Sequence, residues 1–183
     1  MGALVNALEG ASIGRPGLWS DPFRTGIPVE AAEFGKLLFT VARDHLDPEH
    51  SRLQWSEGFM GSHGTTGKEY GRKFGWAAPH DTGQAMVYVG VGNKPEADRR
   101  PCGTYDYPGP ATCRTVSMPD QSPAQVLTNP DRLEVHWSRQ DGSYVFAIVD
   151  ATFRNNSPTP SQAALPTLDQ LKAFVRDPRL VLP

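Results

Sequence analysis

Two cysteines, five lysines and no apolar run long enough to cross a membrane define the 183-residue sequence by its scarcities. Without eighteen or more consecutive apolar residues, membrane insertion within the chain is not expected. The formal net charge of -2, with no basic cluster larger than Arg99-Arg100, excludes counterion-driven attraction to nucleic acid. The stretch Met1 to Glu9 lacks the basic region and long apolar core of a signal peptide, and Asn6 spoils a myristoylation pattern. The expectation is a cytosolic chain or a mature domain without its leader. With so few cysteines, a disulfide-dense scaffold is excluded too.

What is abundant is turn-forming residues: 18 glycines and 17 prolines, against 38% hydrophobic residues. A chain of this length buries roughly 70% of its unfolded surface, so a core forms without a metal. Residues 1–26 read as an irregular arm and 27–183 as a single domain. The chain is organised around Arg132 to Phe153. Leu133, Val135 and Trp137 alternate with Arg132, Glu134, His136 and Ser138, the period of a strand with one covered face. Ser143 to Ala151 reads as apolar on both faces, as a central strand would be. Asp141-Gly142 between them predicts a tight hairpin, since glycine supplies the positive φ of such turns.

Pro28 opens a helix whose apolar stripe runs from Ala31 to Leu46, and Asp47-Pro48 closes it. Thr167 and Gln170 form the capping box of a second helix that Asp177-Pro178 stops. Between them lie strand-like runs at Gln84 to Val91, Thr112 to Met118 and Ala124 to Thr128. Residues 48–83 carry too many glycines to yield more than a short strand near Leu53. The expected fold is α+β: an antiparallel, meander-like sheet of four to five strands, with an N-terminal and a C-terminal helix packed on one face.

Cys102 and Cys113 stand at the mouth of a segment dense in turn formers, and a bridge between them would add roughly 2.5–3 kcal/mol by constraining the unfolded chain. If the bridge forms, the compartment is oxidising; if both thiols stay reduced, the protein is cytoplasmic. Within that loop Tyr105 and Tyr107 are candidate contacts for a partner, because a stiff loop presents tyrosines at low entropic cost. The bland reading is that they fold back onto the sheet.

Several chemistries are weighed against blander readings. Gly61 to Lys68 imitates a phosphate-binding loop but lacks its first glycine, the Ser or Thr after the lysine and the preceding strand. His63, His80 and Asp81 share a loop-rich region where two imidazoles and a carboxylate could hold a metal for hydrolysis; an ordinary turn after Pro79 is the default. No nucleophile elbow exists, so no catalytic residue is assigned. Glu134 and His136 share a strand face, where a solvated charge ladder is the expected state. Asn155-Asn156-Ser157 matches a glycosylation acceptor, relevant only in a eukaryotic secretory host.

The sequence from Gln84 to Leu182, with its cysteine loop, Pro-Asp turn, Asp-Gly hairpin and Leu165-Pro166-Thr167-Leu168-Asp169-Gln170-Leu171, resembles the extracytoplasmic regions of actinobacterial lipoproteins and single-pass membrane proteins. The resemblance implies a domain of the cell envelope. The leading expectation is a non-enzymatic binding or sensing domain for a protein or envelope ligand, without a cofactor. The alternatives are a metal-assisted hydrolase using the His/Asp set, and an immunity or inhibitor protein against a secreted toxin.

Overall fold

A computed structural model describes residues 29–56, 59–64, 67–94 and 111–183, with side chains at all of these except 29–31 and 59–64. The elements are α1 (Val29–Leu46), β1 (Leu53–Gln54), β2 (Phe59–Gly64), β3 (Gly67–Trp76), β4 (Ala85–Gly92), β5 (Thr112–Ser117), β6 (Pro123–Asn129), β7 (Arg132–Ser138), β8 (Tyr144–Asp150) and α2 (Leu168–Val175). The irregular arm expected over residues 1–26 lies outside the described residues.

The sheet is larger than its sequence suggests. Among the described residues, seven strands follow the order β1-β3-β4-β8-β7-β6-β5, and β2 pairs with β3 as an eighth, so the expectation of four to five strands is corrected. Every pairing is antiparallel. The difference lies in residues 48–83, where glycine does not break a strand. In β3 the side chains of Tyr70, Phe74 and Trp76 point to one face and are buried, whereas Gly71 and Gly75 fall on the other. There glycine gives up its side chain so that a neighbour can lie across the strand: a Cβ at Gly71 would sit 2.7 Å from the Tyr88 ring. The phosphate-loop imitation at residues 61–68 straddles β2 and β3, and a strand follows it where such a loop requires a helix.

The topology also departs from a simple meander. β5 to β8 run as one, but β8 then pairs along its length with β4, from Met86 opposite Asp150 to Gly92 opposite Tyr144. β5 therefore lies at the far edge of the sheet, with β8, β7 and β6 between it and β4. The β7–β8 hairpin closes as its sequence predicts. Gly142 has φ +83°, and the Asp141 carboxylate accepts hydrogen bonds from the Ser143 amide at 2.8 Å and hydroxyl at 2.6 Å.

Both helices cover the same face of the sheet, α1 over β3 and β4, α2 over β7 and β8. Their buried stripes (Phe34, Leu38 and Val41; Leu171, Phe174 and Val175) meet Phe74, Val87, Val89, Val135, Val145 and Val149 in the main core. The capping box of α2 is in place: the Thr167 hydroxyl accepts from the Gln170 amide while the Gln170 side chain accepts from the Thr167 amide. Past α2 the chain is clasped by Asp177, which takes hydrogen bonds from the Arg179 guanidinium at 2.7 Å and meets His45 Nε2 at 2.8 Å. Among the described residues, no helix is long and apolar enough to cross a membrane.

Candidate functional site

The polar chemistry gathers on the sheet face turned away from the helices. In β7 the alternation that sends Val135 into the core sends Arg132, Glu134, His136 and Ser138 to this other face. Register continues the face across the sheet. Glu134 stands opposite Ile148 of β8, Ile148 opposite Tyr88 of β4, and Tyr88 opposite Lys73 of β3. In the next row His136 stands opposite Phe146, and Phe146 opposite Gly90.

Glycines make this face possible. Phe146 lies over Gly90, Tyr144 over Gly92 and Tyr88 over Gly71, each ring where a β-carbon would otherwise stand. The rings contact one another. Tyr88 meets Phe146 edge-on at 4.9 Å, and Phe146 stacks with His136 at 5.8 Å and Tyr144 at 6.3 Å. Tyr144, Phe146 and Ile148 form a second apolar cluster, separate from the core under the helices.

Glu134 is the hub. It is 2% exposed, which corrects the expectation of a solvated charge ladder. One carboxylate oxygen accepts from Arg132 Nε and the other lies 3.2 Å from His136 Nε2. Arg132 also reaches Asp150 at 3.4 Å. Burial pushes the Glu134 carboxyl upward, but the hydrogen bond to His136 and the charge of Arg132 more than offset this, leaving it below the usual glutamate value. At the end of β3, Glu69 accepts from the Tyr144 hydroxyl and lies 3.7 Å from Lys94. Lys73 is half-buried with its ammonium 5.7 Å from the centre of the Tyr88 ring. Burial, then repulsion from Arg132, lowers its pKa.

Held by partners on both oxygens, Glu134 is an anchor that fixes Arg132 and His136. Glu134, Tyr144, Phe146 and Ile148 are themselves buried, so what the face offers to recognition is its half-buried groups, Lys73, Tyr88, Arg132 and His136, held in place by that buried layer. The residues singled out from sequence lie elsewhere or touch its margin. Cys102, Tyr105 and Tyr107 fall outside the described residues. Cys113 is exposed on the edge strand β5 and is not a free thiol. It stands opposite Leu127, which stands opposite Glu134, so its side chain belongs to the same sheet face, about 10 Å away at twice the strand spacing.

His63 lies in β2, its side chain outside those described. His80 is exposed with φ +67°. The carboxylate of Asp81 is occupied, accepting from the Ser161 hydroxyl at 2.6 Å, the Gln162 amide at 2.8 Å and the Gly83 amide at 3.0 Å. These bonds, that from Ser161 foremost, hold its pKa at about 2. It staples the loop after β8 to the turn after β3. Among the described residues, no three His, Cys, Asp or Glu side chains converge as metal ligands would. Sequence reasoning places Arg132 on the polar face of β7 by period-two alternation without assigning it a role, and misses Lys73, Tyr88 and Asp150, which lie on other strands and are joined to it only by register.

No family model, curated protein or solved structure matches the chain.

Proposed function

We propose that the chain is a non-enzymatic binding or sensing domain of the cell envelope, which receives its ligand on the polar, aromatic face of the sheet. The observation that carries this reading is Glu134: a carboxylate 2% exposed, gripped by Arg132 and His136 on the face that the helices leave alone. A buried carboxylate with its partners adds little to stability compared with an apolar cluster, so Glu134 is better understood as fixing the half-buried Arg132 and His136 for a ligand. An extracytoplasmic location is favoured by Cys113 not being a free thiol when the sequence holds one other cysteine, Cys102. The Cys102–Cys113 bridge would root the Tyr105 and Tyr107 loop at the margin of the polar face. The resemblance to actinobacterial envelope proteins points the same way.

The test is capture of a ligand from envelope extracts by the immobilised domain. Tyr105→Ala combined with Tyr107→Ala is expected to leave thermal unfolding unchanged and to cut capture at least tenfold. Alkylation of denatured, non-reduced protein is expected to label neither cysteine. Undiminished capture by the double variant removes the tyrosine loop from the reading, and two labelled thiols return the chain to the cytoplasm.

A further inference from the structure

The lysines of this chain divide by company. Lys36, Lys94 and Lys172 each lie within 4 Å of a carboxylate, at 2.8, 3.7 and 3.7 Å from Glu33, Glu69 and Asp169. Lys68 is exposed and solvated. Lys73 is neither: it is half-buried, and among the described residues no carboxylate lies within ion-pair distance. Its neighbours are the Tyr88 ring at 5.7 Å and the positive field of Arg132, whose own charge is answered by Glu134 and Asp150. A cation partly withdrawn from water, without a carboxylate partner and in the field of Arg132 from β7, is unfavourable unless an anion arrives.

We propose that Lys73, beside Tyr88 and on the side of Arg132, is the subsite that receives an oxyanion of the ligand, a carboxylate or a phosphate. The inference rests on the polar face being the binding face and specifies the chemistry that this face selects. Tyr88 contributes ring surface next to the charge, and the Arg132–Glu134–Asp150 set holds the local field constant while the anion comes and goes. The lowered pKa of the Lys73 ammonium accords with this placement, because a bound anion relieves the repulsion from Arg132 and restores the charge.

The experiment follows the side-chain resonances of Lys73 while inorganic phosphate or acetate is added at constant ionic strength, with chloride as the control. Saturable shifts with one of the two anions, together with a rise in the Lys73 titration midpoint, are expected. Phosphate alone or acetate alone then identifies the source of the oxyanion. Lys73→Met should weaken binding about ten- to a hundredfold, the range of a charge-assisted hydrogen bond, while Lys73→Arg retains it. Lys73 shifts that grow linearly and match chloride, or anion-induced shifts of the Tyr88 backbone amide that persist unchanged in Lys73→Met, overturn the subsite. Capture of envelope ligand by Lys73→Met at wild-type level would remove the subsite and leave the binding face standing. Loss of capture in Tyr105→Ala plus Tyr107→Ala, with the same one of phosphate or acetate still bound at Lys73, would keep both.

Discussion

Glu134→Ala is expected to lower the unfolding free energy by about 3–5 kcal/mol, the range found when one partner of a buried ion pair is removed. The loss comes chiefly from what remains. Arg132 and His136 keep their half-buried places but lose the carboxylate that compensates them. Two controls separate this from simple cavity formation. Glu134→Gln retains the volume and one acceptor oxygen, and should recover part of the loss. Exchanging Glu134, Arg132 and His136 together for apolar residues of similar volume should cost less than Glu134→Ala alone. The folded-state pKa of Glu134 lies below its unfolded value. Its contribution is therefore complete above the unfolded value of about 4.3 and fades as pH falls through the folded one. Urea unfolding of wild type and Glu134→Gln at a series of pH values should show the gap narrowing below about pH 4. A loss under 1 kcal/mol for Glu134→Ala would mean the side chain is solvated after all.

Gly90→Ala should cost about 3 kcal/mol, equivalent to a fall of roughly 10 °C in Tm for a chain of this size. Gly90 lies in β4, between β3 and β8, with no free side toward which to move. A β-carbon there would stand 2.6 Å from the Phe146 ring and 2.8 Å from the Gly71 Cα, and would press on the Tyr70 carbonyl oxygen. Two of those three neighbours are backbone atoms held in the sheet. Gly71→Ala is the informative comparison, because all three atoms nearest its β-carbon belong to the Tyr88 ring, the far end of a side chain that can swing away. It should cost clearly less. Gly142→Ala meets nothing within 4 Å, so its cost, on the order of 1 kcal/mol, reflects the positive φ alone. Differential scanning calorimetry of the three variants should rank them Gly90, then Gly71 and Gly142.

The contrast between these glycines also explains what could and could not be read from the chain. Gly142 between two alternating runs is a turn signal with a local cause, and the β7–β8 hairpin was legible. So were α1, from its apolar stripe, and the start of α2, from Thr167 and Gln170. Gly67, Gly71 and Gly75 look the same in sequence as turn glycines. Their partners, Tyr88 for Gly71 and Gln84 for Gly75, lie on other segments, so β3 could not be recognised locally. The pairing of β4 with β8 is likewise a long-range fact; local periodicity carries no preference between β5 and β8 as the neighbour of β4. Glu134 was misjudged for a reason the sequence did contain. Its partner strand, Tyr144–Asp150, is apolar on both faces, and if both faces of β8 are covered, the neighbouring positions of β7 are covered with them. The candidate site was thus half visible: Arg132, Glu134 and His136 share a strand face by spacing, but Asp150, Tyr88 and Lys73 needed the register.

The most direct test of the binding face is to map backbone amide shifts of the isotope-labelled domain as the captured envelope ligand is titrated in. Perturbations centred on Lys73, Tyr88, Glu134, His136 and Tyr144, continuing into residues 103–112, are the predicted result. Perturbations confined to the outer surfaces of α1 and α2, with those residues unmoved, would contradict it.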